Sequence, residues 1–388
     1  MDNSFRLLML PSLAQADVFK QLNPADLIDM SMLSTRFTGA LSLNKIPFEY
    51  MHVILRDDFT GVTIGNRREK TLELECFYPR APFANLDWKM RRFEGEDVMQ
   101  ISYRAACQRL FKATHNTVDS KMALLEKLIT HLLRITKIEK FRLTCKREMD
   151  LSRIFFWRSV TNQLDFLEIV PTARGTIRVS SEDLRFLLDE ISIDHIYLRV
   201  GCLDEEFRYR GPFTNRIIVI DDSSWVDFER LSICPKSVSV DFQIKHKIDE
   251  SSINRLIREW IEGKSEMLQQ LHFRWLPEII VNPFPGQNDL TYDTWTHRVG
   301  RDYEELDFAK IMKDLNESET IFNNRQLQSR LEYLKFGTHN CDIKRETDGC
   351  VGTIIRDDEN RKVSLIAWHK EHYHAGFWEL KDTGNQGN

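Results

Sequence analysis

The chain has 388 residues, of which 42% are hydrophobic and 29% are charged, and its formal net charge is −5 at pH 7. This length suits two or three compact units or one elongated array, and the composition is that of a folded globular protein. The acidic balance argues against nucleic acid as the main partner, because no basic excess is available to meet phosphates.

The first residues and the cysteines predict a cytoplasmic or nuclear protein. Residues 1–12 lack the basic region and the small-residue cleavage site of a secretory signal. No stretch approaches the roughly 18 apolar residues of a membrane span, so no membrane contact is expected. The 7 cysteines are scattered and odd in number, which is typical of reduced thiols in the cytosol or nucleus.

Residues 10–37 predict short helices that are rich in apolar side chains. The Asn23-Pro24 pair ends one helix and begins the next, because Asn suits the N-cap and Pro the first helical position. In the second helix Leu27 marks one face and Ile28 the other. A helix that is apolar on two sides must be covered on both, either by the rest of this chain or by another protein.

The spacing of these residues resembles the F-box motif, which begins with Leu-Pro and continues through an aliphatic pair, a Pro-x-Asp-Leu turn and a Ser-rich helix. Leu13, Ala14, Asn23 and Thr35 depart from the usual residues of that motif. F-boxes bind a Skp-type adaptor of cullin ubiquitin ligases, so the resemblance implies an adaptor-binding surface. The adaptor-binding residues that it implies are Leu10, Pro11, Val18, Phe19, Leu22, Pro24, Asp26, Leu27 and Leu33.

Residues 46–117 predict a connecting segment that is rich in β-hairpins. Apolar and polar residues alternate over 51–55 and 72–76, with glycines between them, as in antiparallel strands. Residues 81–97 are polar and are interrupted by a proline and a glycine, which predicts a loop.

Residues 118–335 predict recurring units of one helix and one strand. The predicted helices lie at 118–135, 180–192, 223–233 and 249–263, and the strands that follow them lie at 141–145, 196–200, 238–242 and 271–275. Their intervals are typical of stacked repeats. The predicted fold class is α/β: an N-terminal three-helix F-box, an irregular leucine-rich-repeat-like helix–strand solenoid and a C-terminal β-meander. A compact α/β domain of alternating helices and strands is the alternative.

Two segments resemble the F-box-associated type 2 domain of a large nematode F-box family. The first, at about 210–280, has that domain's Trp-Ile-x-Gly helix and its Leu-x-x-Leu-x-Phe strand. The matching residues there are Ile253, Trp260, Ile261, Gly263, Leu268, Leu271 and Phe273. The second segment runs from Asp342 to Ile354 and resembles the family's Asp-Ile-Lys-Arg hairpin, with a departure at 350–352. The resemblance implies that the associated domain holds a client protein.

Residues 336–388 predict the β-meander and a tail. Asp348-Gly349 is a tight-turn signal, and residues 358–361 form a second one. Alternating apolar residues on either side of these turns predict three strands, which could close the exposed end of a repeat array.

No arrangement of residues predicts an enzyme. A zinc site at His369, His372 and His374 is the functional alternative for a histidine-rich segment, but no paired Cys-x-x-Cys ligands accompany it, so no metal is expected. Phosphate-binding and nucleophile motifs are absent as well. The sequence therefore predicts no catalytic residue and no cofactor.

The client-binding residues are predicted from the strands of the repeat region. Side chains that point outward between buried ones mix cations, hydroxyls and aromatics, which suits protein recognition. The residues chosen on this basis are Tyr197, Arg199, Asp241, His272 and Arg274. An aromatic-rich segment at 283–297 is the alternative client site, since binding residues are frequent on loops.

These observations together predict four segments, 1–45, 46–117, 118–335 and 336–388. They predict a substrate-recognition subunit of an SCF-type cullin ubiquitin ligase, which holds a client near the ubiquitin-transfer machinery and performs no chemistry itself. Its expected partners are a Skp-type adaptor with its cullin complex and an unknown client protein. The alternative is a non-catalytic interaction scaffold that joins no ligase.

Overall fold

The structure is a computed structural model. It describes residues 7–56, 60–66, 69–77, 89–93, 96–103, 108–113, 118–146, 163–171, 177–244, 249–275, 307–318, 339–357 and 362–368. The fold is mixed α/β, and the chain divides into two compact units: Met1–Ile177 with Glu190–Ile193, and Arg178–Asp189 with Asp194–Asn388. This division differs from the four segments that the sequence suggests.

The helices begin at capping residues. The described α-helices are α1 Ser12–Gln21, α2 Pro24–Leu33, α3 Thr35–Leu43, α4 Val118–Ile135, α5 Ser181–Arg185, α6 Glu250–Ile261 and α7 Phe308–Met312. The side chains of Ser34, Ser180 and Asp249 each accept a hydrogen bond from a backbone N–H of the first turn that follows, which satisfies a donor that the helix itself leaves free. None of the described helices is long and apolar enough to cross a membrane.

The first unit is built on a mixed sheet. Its strands are β1 Ile46–Arg56, β2 Thr60–Asn66, β3 Glu69–Phe77, β4 Lys89–Phe93, β5 Glu96–Tyr103, β6 Gln108–Ala113, β7 Thr136–Lys146 and β8 Gln163–Ile169, in the spatial order β8-β7-β1-β2-β3-β6-β5-β4. The β1–β7, β7–β8 and β3–β6 pairs are parallel, and the other neighbours are antiparallel.

The prediction of a loop over residues 81–97 is wrong at its end. Lys89–Phe93 pairs antiparallel with the strand that begins at Glu96. Lys89–Phe93 is β4, and it lies at the end of the order of the unit's strands. Charged side chains are usual on a strand at the edge of a sheet, where they oppose pairing with other chains. A polar sequence was therefore a poor guide to the absence of a strand.

The N-terminal helices pack onto the first unit. Helix α4 lies on β2, β3, β6 and β7, and the side chains of Leu128 and Leu132 are fully buried there. Helix α3 contacts α4, while α2 contacts β3 and β4. The helices of residues 10–37 are therefore part of this unit's core and do not stand apart from it.

The second unit also contains parallel and antiparallel strands. Its strands are β9 Ile177–Val179, β10 Ser192–Leu198, β11 Val200–Cys202, β12 Ile217–Ile220, β13 Ser239–Ile244, β14 Gln270–Trp275, β15 His339–Lys344, β16 Val351–Asp357 and β17 Lys362–Trp368. The sheet has the order β10-β12-β13-β14-β17-β16-β15, and β9 pairs separately with β11. Strands β10, β12, β13 and β14 are parallel and in register, with His195, Ile217, Ser239 and Gln270 side by side. The last three strands form an antiparallel meander.

The helix predicted over 223–233 is absent. The chain there forms turns, and isolated bridges join Tyr209 to Val226 and Phe213 to Ile233. The indole Nε1 of Trp225 donates to the carbonyl oxygen of Val200 at 2.9 Å. This anchor fixes the turns of the segment, because burying its large side chains stabilises it more than a short helix would.

The core of the second unit lies between α6 and the sheet. Ile253, Ile257 and Trp260 of α6 are buried, and the rings of Phe242 and Phe273 stack with centroids 6.0 Å apart. Phe273 is likewise buried. The side chain of Trp275, at the end of β14, lies outside the described residues.

Candidate functional site

The N-terminal helices bury residues of both predicted apolar faces of α2 against this chain. Leu27 and Ile28 of α2 are 1% and 0% exposed, and the rings of Phe19 and Phe37 meet edge to face at 5.4 Å. The Oγ of Ser31 lies 2.9 Å from Nε2 of His131 on α4, in a buried hydrogen bond. This chain thus covers part of each apolar face that the sequence predicts for α2.

Other apolar side chains of these helices stay open to solvent. Leu13 of α1 is 81% exposed, Leu33 of α2 is 58% exposed and Leu43 of α3 is 80% exposed. Met30, one turn from Leu33 on α2, is exposed as well. Single exposed apolar residues are normal, but several on consecutive short helices are typical of an interaction surface. Here we call Leu13, Met30, Leu33 and Leu43 the open apolar face.

The residues assigned to the adaptor surface are divided between exposed and buried positions. The exposed ones are Pro11, Leu22, Asp26 and Leu33; Leu10, Val18 and Pro24 are half-buried; Phe19 and Leu27 are buried. Buried Phe19 and Leu27 hold the helices together within this chain. Leu13 and Leu43 were not among the nominated residues, although both are more exposed than Leu33. Leu13 departs from the usual F-box residue, so a motif comparison gave no reason to choose it.

The proposed client-binding residues lie on one face of the second unit's sheet. The register aligns Tyr197, Val219 and Asp241 across β10, β12 and β13, and Asp241 pairs with His272 on β14. Arg199 and Arg274 lie two residues further along their strands. The structure therefore brings the nominated residues together in two adjacent rows.

Internal hydrogen bonds fix most of these side chains. The hydroxyl of Tyr197 donates to the Asp221 carboxylate at 2.8 Å. The guanidinium of Arg274 donates to Asp241 through two nitrogens, its Nε at 3.1 Å. Burial raises the pKa of Asp221, and the hydrogen bond from Tyr197 and the charges of Arg199 and Arg274 oppose that rise. The face is thus a preformed polar network rather than a row of free side chains.

His272 is a buried member of this network. It is 7% exposed, and its Nδ1 lies 2.9 Å from the Oγ of Ser364 on β17. Burial, followed by the charges of Lys362 and Arg274, lowers the pKa of His272 to about 3. A neutral, buried histidine contributes to the packing of β14 on β17. Among the five residues predicted to bind a client, only Arg199 is exposed.

Asp221 and Ser364 belong to this network but were not nominated from the sequence. Asp221 comes directly after the apolar strand β12, and a polar residue at the end of a parallel strand is a signal that could have found it. Ser364 alternates with apolar residues in β17 and became visible only through its pairing with His272.

In the part of the chain that the structure describes, no three His, Cys, Asp or Glu side chains are grouped so that they could hold a metal ion. His369, His372 and His374 lie outside the described residues, as does the aromatic segment 283–297. The cysteines Cys145, Cys202, Cys234, Cys341 and Cys350 are not joined by disulfides. Burial raises the pKa of the Cys341 thiol to about 12, so this thiol is not poised as a nucleophile.

Comparison with known proteins identifies no relative. No family model matches the chain, and neither a curated protein nor a solved structure matches it.

Proposed function

We propose that this protein is the substrate-recognition subunit of an SCF-type cullin ubiquitin ligase. Its N-terminal helices would dock on a Skp-type adaptor, and its second unit would hold a client protein. The observation on which this rests is the open apolar face, which lies on the same short helices that resemble an F-box. The subunit would act by proximity, placing a client near the ubiquitin-transfer machinery of the cytoplasm or nucleus.

The parallel, in-register strands β10, β12, β13 and β14 support the second half of the proposal. Successive parallel strands with equivalent residues side by side are typical of a leucine-rich-repeat-like solenoid, and such arrays offer extended binding surfaces. The meander β15–β17 continues this sheet at β14 and would cap the array.

Co-purification with an adaptor tests the proposal. The full chain is co-expressed with a tagged Skp-type adaptor, either unchanged or as Leu13→Glu with Leu33→Glu. Both leucines are exposed, so the charges disturb an interface without entering the core. The matched control is Leu203→Glu. Leu203 lies in the second unit and is 59% exposed. We expect the double variant to lose the adaptor and the control to retain it; retention by the folded double variant would refute adaptor docking through this face.

A second function is favoured by a different observation. Because α2 packs on β3 and β4 and Ser31 bonds to His131, the N-terminal helices have a structural role within this chain. An interaction scaffold that joins no ligase requires only that role. Failure of the unchanged, folded chain to bind any Skp-type adaptor would favour the scaffold.

A further inference from the structure

On the network face of the second unit, the carboxylates are buried and the cations reach solvent. Asp221 and Asp241 are 8% and 7% exposed. Arg199 is exposed. In the ion pair between Arg274 and Asp241, the arginine side chain is 39% exposed and the aspartate side chain is 10% exposed. The charge that this face presents to a partner is therefore positive, although the whole chain is acidic.

The register explains why the cations share one row. Arg199 directly follows β10, and Asp221 directly follows β12. Gln243 of β13 pairs with Arg274 of β14, which pairs with Lys362 of β17. Because neighbouring strands are in register, these side chains lie side by side at one end of the strands.

The two carboxylates are already engaged within the chain. Asp241 accepts from both donating nitrogens of Arg274, and Asp221 accepts from Tyr197. The Arg199 guanidinium makes no hydrogen bond or ion pair in the part of the chain that the structure describes. The low pKa of His272, to which Lys362 and Arg274 contribute after burial, agrees with a positive local potential. Arg199 is thus the cation with hydrogen-bonding capacity left for a partner.

We propose that Arg199, which shares its row with Arg274 and Lys362, binds an acidic peptide segment of the client through its Asp or Glu carboxylates. This inference rests on the proposed client-binding role of the second unit. Arginine suits such a contact because its planar guanidinium can donate two parallel hydrogen bonds to a carboxylate. A peptide fits better than nucleic acid, because buried carboxylates interrupt the cations and no long basic stripe is present.

Peptide binding to the purified full chain tests this inference. The probe is a fluorescein-labelled peptide of alternating Glu and Gly, compared by anisotropy with a Gln and Gly peptide. We expect the Glu peptide to bind more tightly, and its advantage to shrink as salt is added. Arg199→Glu should weaken binding of the Glu peptide by about fivefold, the effect of losing one exposed ion pair. Arg199→Gln should have a smaller effect in the same direction.

The matched control is Arg230→Glu, which makes the same change of charge at an exposed arginine in the turns between β12 and β13. It should leave peptide affinity unchanged. The inference is overturned if the unchanged chain does not prefer the Glu peptide, if Arg199→Glu binds it normally, or if Arg230→Glu weakens binding equally. Preference for a thymidine oligonucleotide, lost in Arg199→Glu, would instead assign the face to nucleic acid. No adaptor is present in this experiment, so its outcome is separate from that of the adaptor test.

Discussion

The guanidinium of Arg345 lies over the ring of Trp260, with its Cζ 5.3 Å from the ring centroid. Arg345 also donates to the Asp348 carboxylate at 2.9 and 2.7 Å and to the carbonyl oxygen of Glu266 at 2.8 Å. The backbone N–H of Glu346 donates to the carbonyl oxygen of Ile261, at the end of α6. The hairpin of β15 and β16 therefore packs against α6, and these residues hold it there.

The first prediction concerns the tight approach of this hairpin to α6. A Cβ on Gly352 would lie 2.7 Å from Cη2 of Trp260 and 2.9 Å from Cδ1 of Leu365. Both neighbours are held in a packed core, so Gly352→Val should lower the free energy of unfolding by about 1–3 kcal/mol. Urea denaturation followed by tryptophan fluorescence measures this loss.

The control for Gly352 is a glycine with room around it. Gly39, in α3, has nothing within 4 Å of its would-be Cβ. Gly39→Ala should therefore stabilise the chain by roughly 0.5–1 kcal/mol, because alanine loses less conformational freedom in a helix. Equal effects of the two substitutions would contradict the close packing at Gly352.

The second prediction separates the two sides of α2 with a matched pair of leucines. Leu27 is 1% exposed and Leu33 is 58% exposed. Leu27→Ala should cost about 2–5 kcal/mol of stability, since it leaves a cavity, whereas Leu33→Ala should change stability by about 0.5 kcal/mol or less. Thermal unfolding of both variants measures the difference. A Leu33→Ala variant as unstable as Leu27→Ala would show that Leu33 is covered by this chain.

Sequence periodicity predicted the elements that lie against a single apolar core. The helix predicted over 249–263 is observed as Glu250–Ile261, because its apolar residues recur at helical spacing and its N-cap Asp249 is explicit. Strands β13 and β14 alternate in the same clear way. The turn at Gly349 was also predictable, because Asp-Gly is a tight-turn signal. The structure gives Gly349 a φ of +71°, a conformation that favours glycine.

Sequence patterns did not predict features that depend on neighbours distant in the chain. The segment around Trp225 has helix-like spacing but forms turns, which a hydrogen bond from Trp225 to Val200 anchors. The burial of Asp241 and His272 depends on which strands pair and in what register. The two-residue period of the sequence shows only that both residues alternate with apolar ones. Strand alternation therefore indicated that these residues share one face, while the exposure of each side chain required the structure.

The third prediction concerns the hydrogen bond between Tyr197 and Asp221. Tyr197→Phe leaves a buried carboxylate without its hydroxyl donor, which should cost about 1–3 kcal/mol. Because that bond lowers the pKa of Asp221, its loss should raise this pKa further. The matched control is Tyr209→Phe, which removes a 2.8 Å bond to Asp189, an exposed residue that water can rehydrate. Chemical denaturation should show the larger loss for Tyr197→Phe; equal losses would contradict the role of Asp221 burial.

The last prediction concerns stability in acid. His272 has a pKa of about 3 in the folded chain, against an ordinary value of 6.5. Between these values the unfolded chain binds more protons at this site than the folded chain does, so stability rises with pH. The contribution of neutral His272 is complete above about pH 6.5 and is lost as the pH falls toward about 3, by at most about 1.4 kcal/mol per pH unit.

Replacing His272 with a side chain that does not titrate tests whether this residue makes stability rise with pH, and over which pH range. His272→Gln keeps an amide that can bond to Ser364 but cannot take up a proton. Its free energy of unfolding, measured by urea denaturation from about pH 7 to about pH 4, should fall less steeply with acid than that of the unchanged chain. An identical slope for His272→Gln and the unchanged chain would show that His272 accepts its proton without opening the β14–β17 contact.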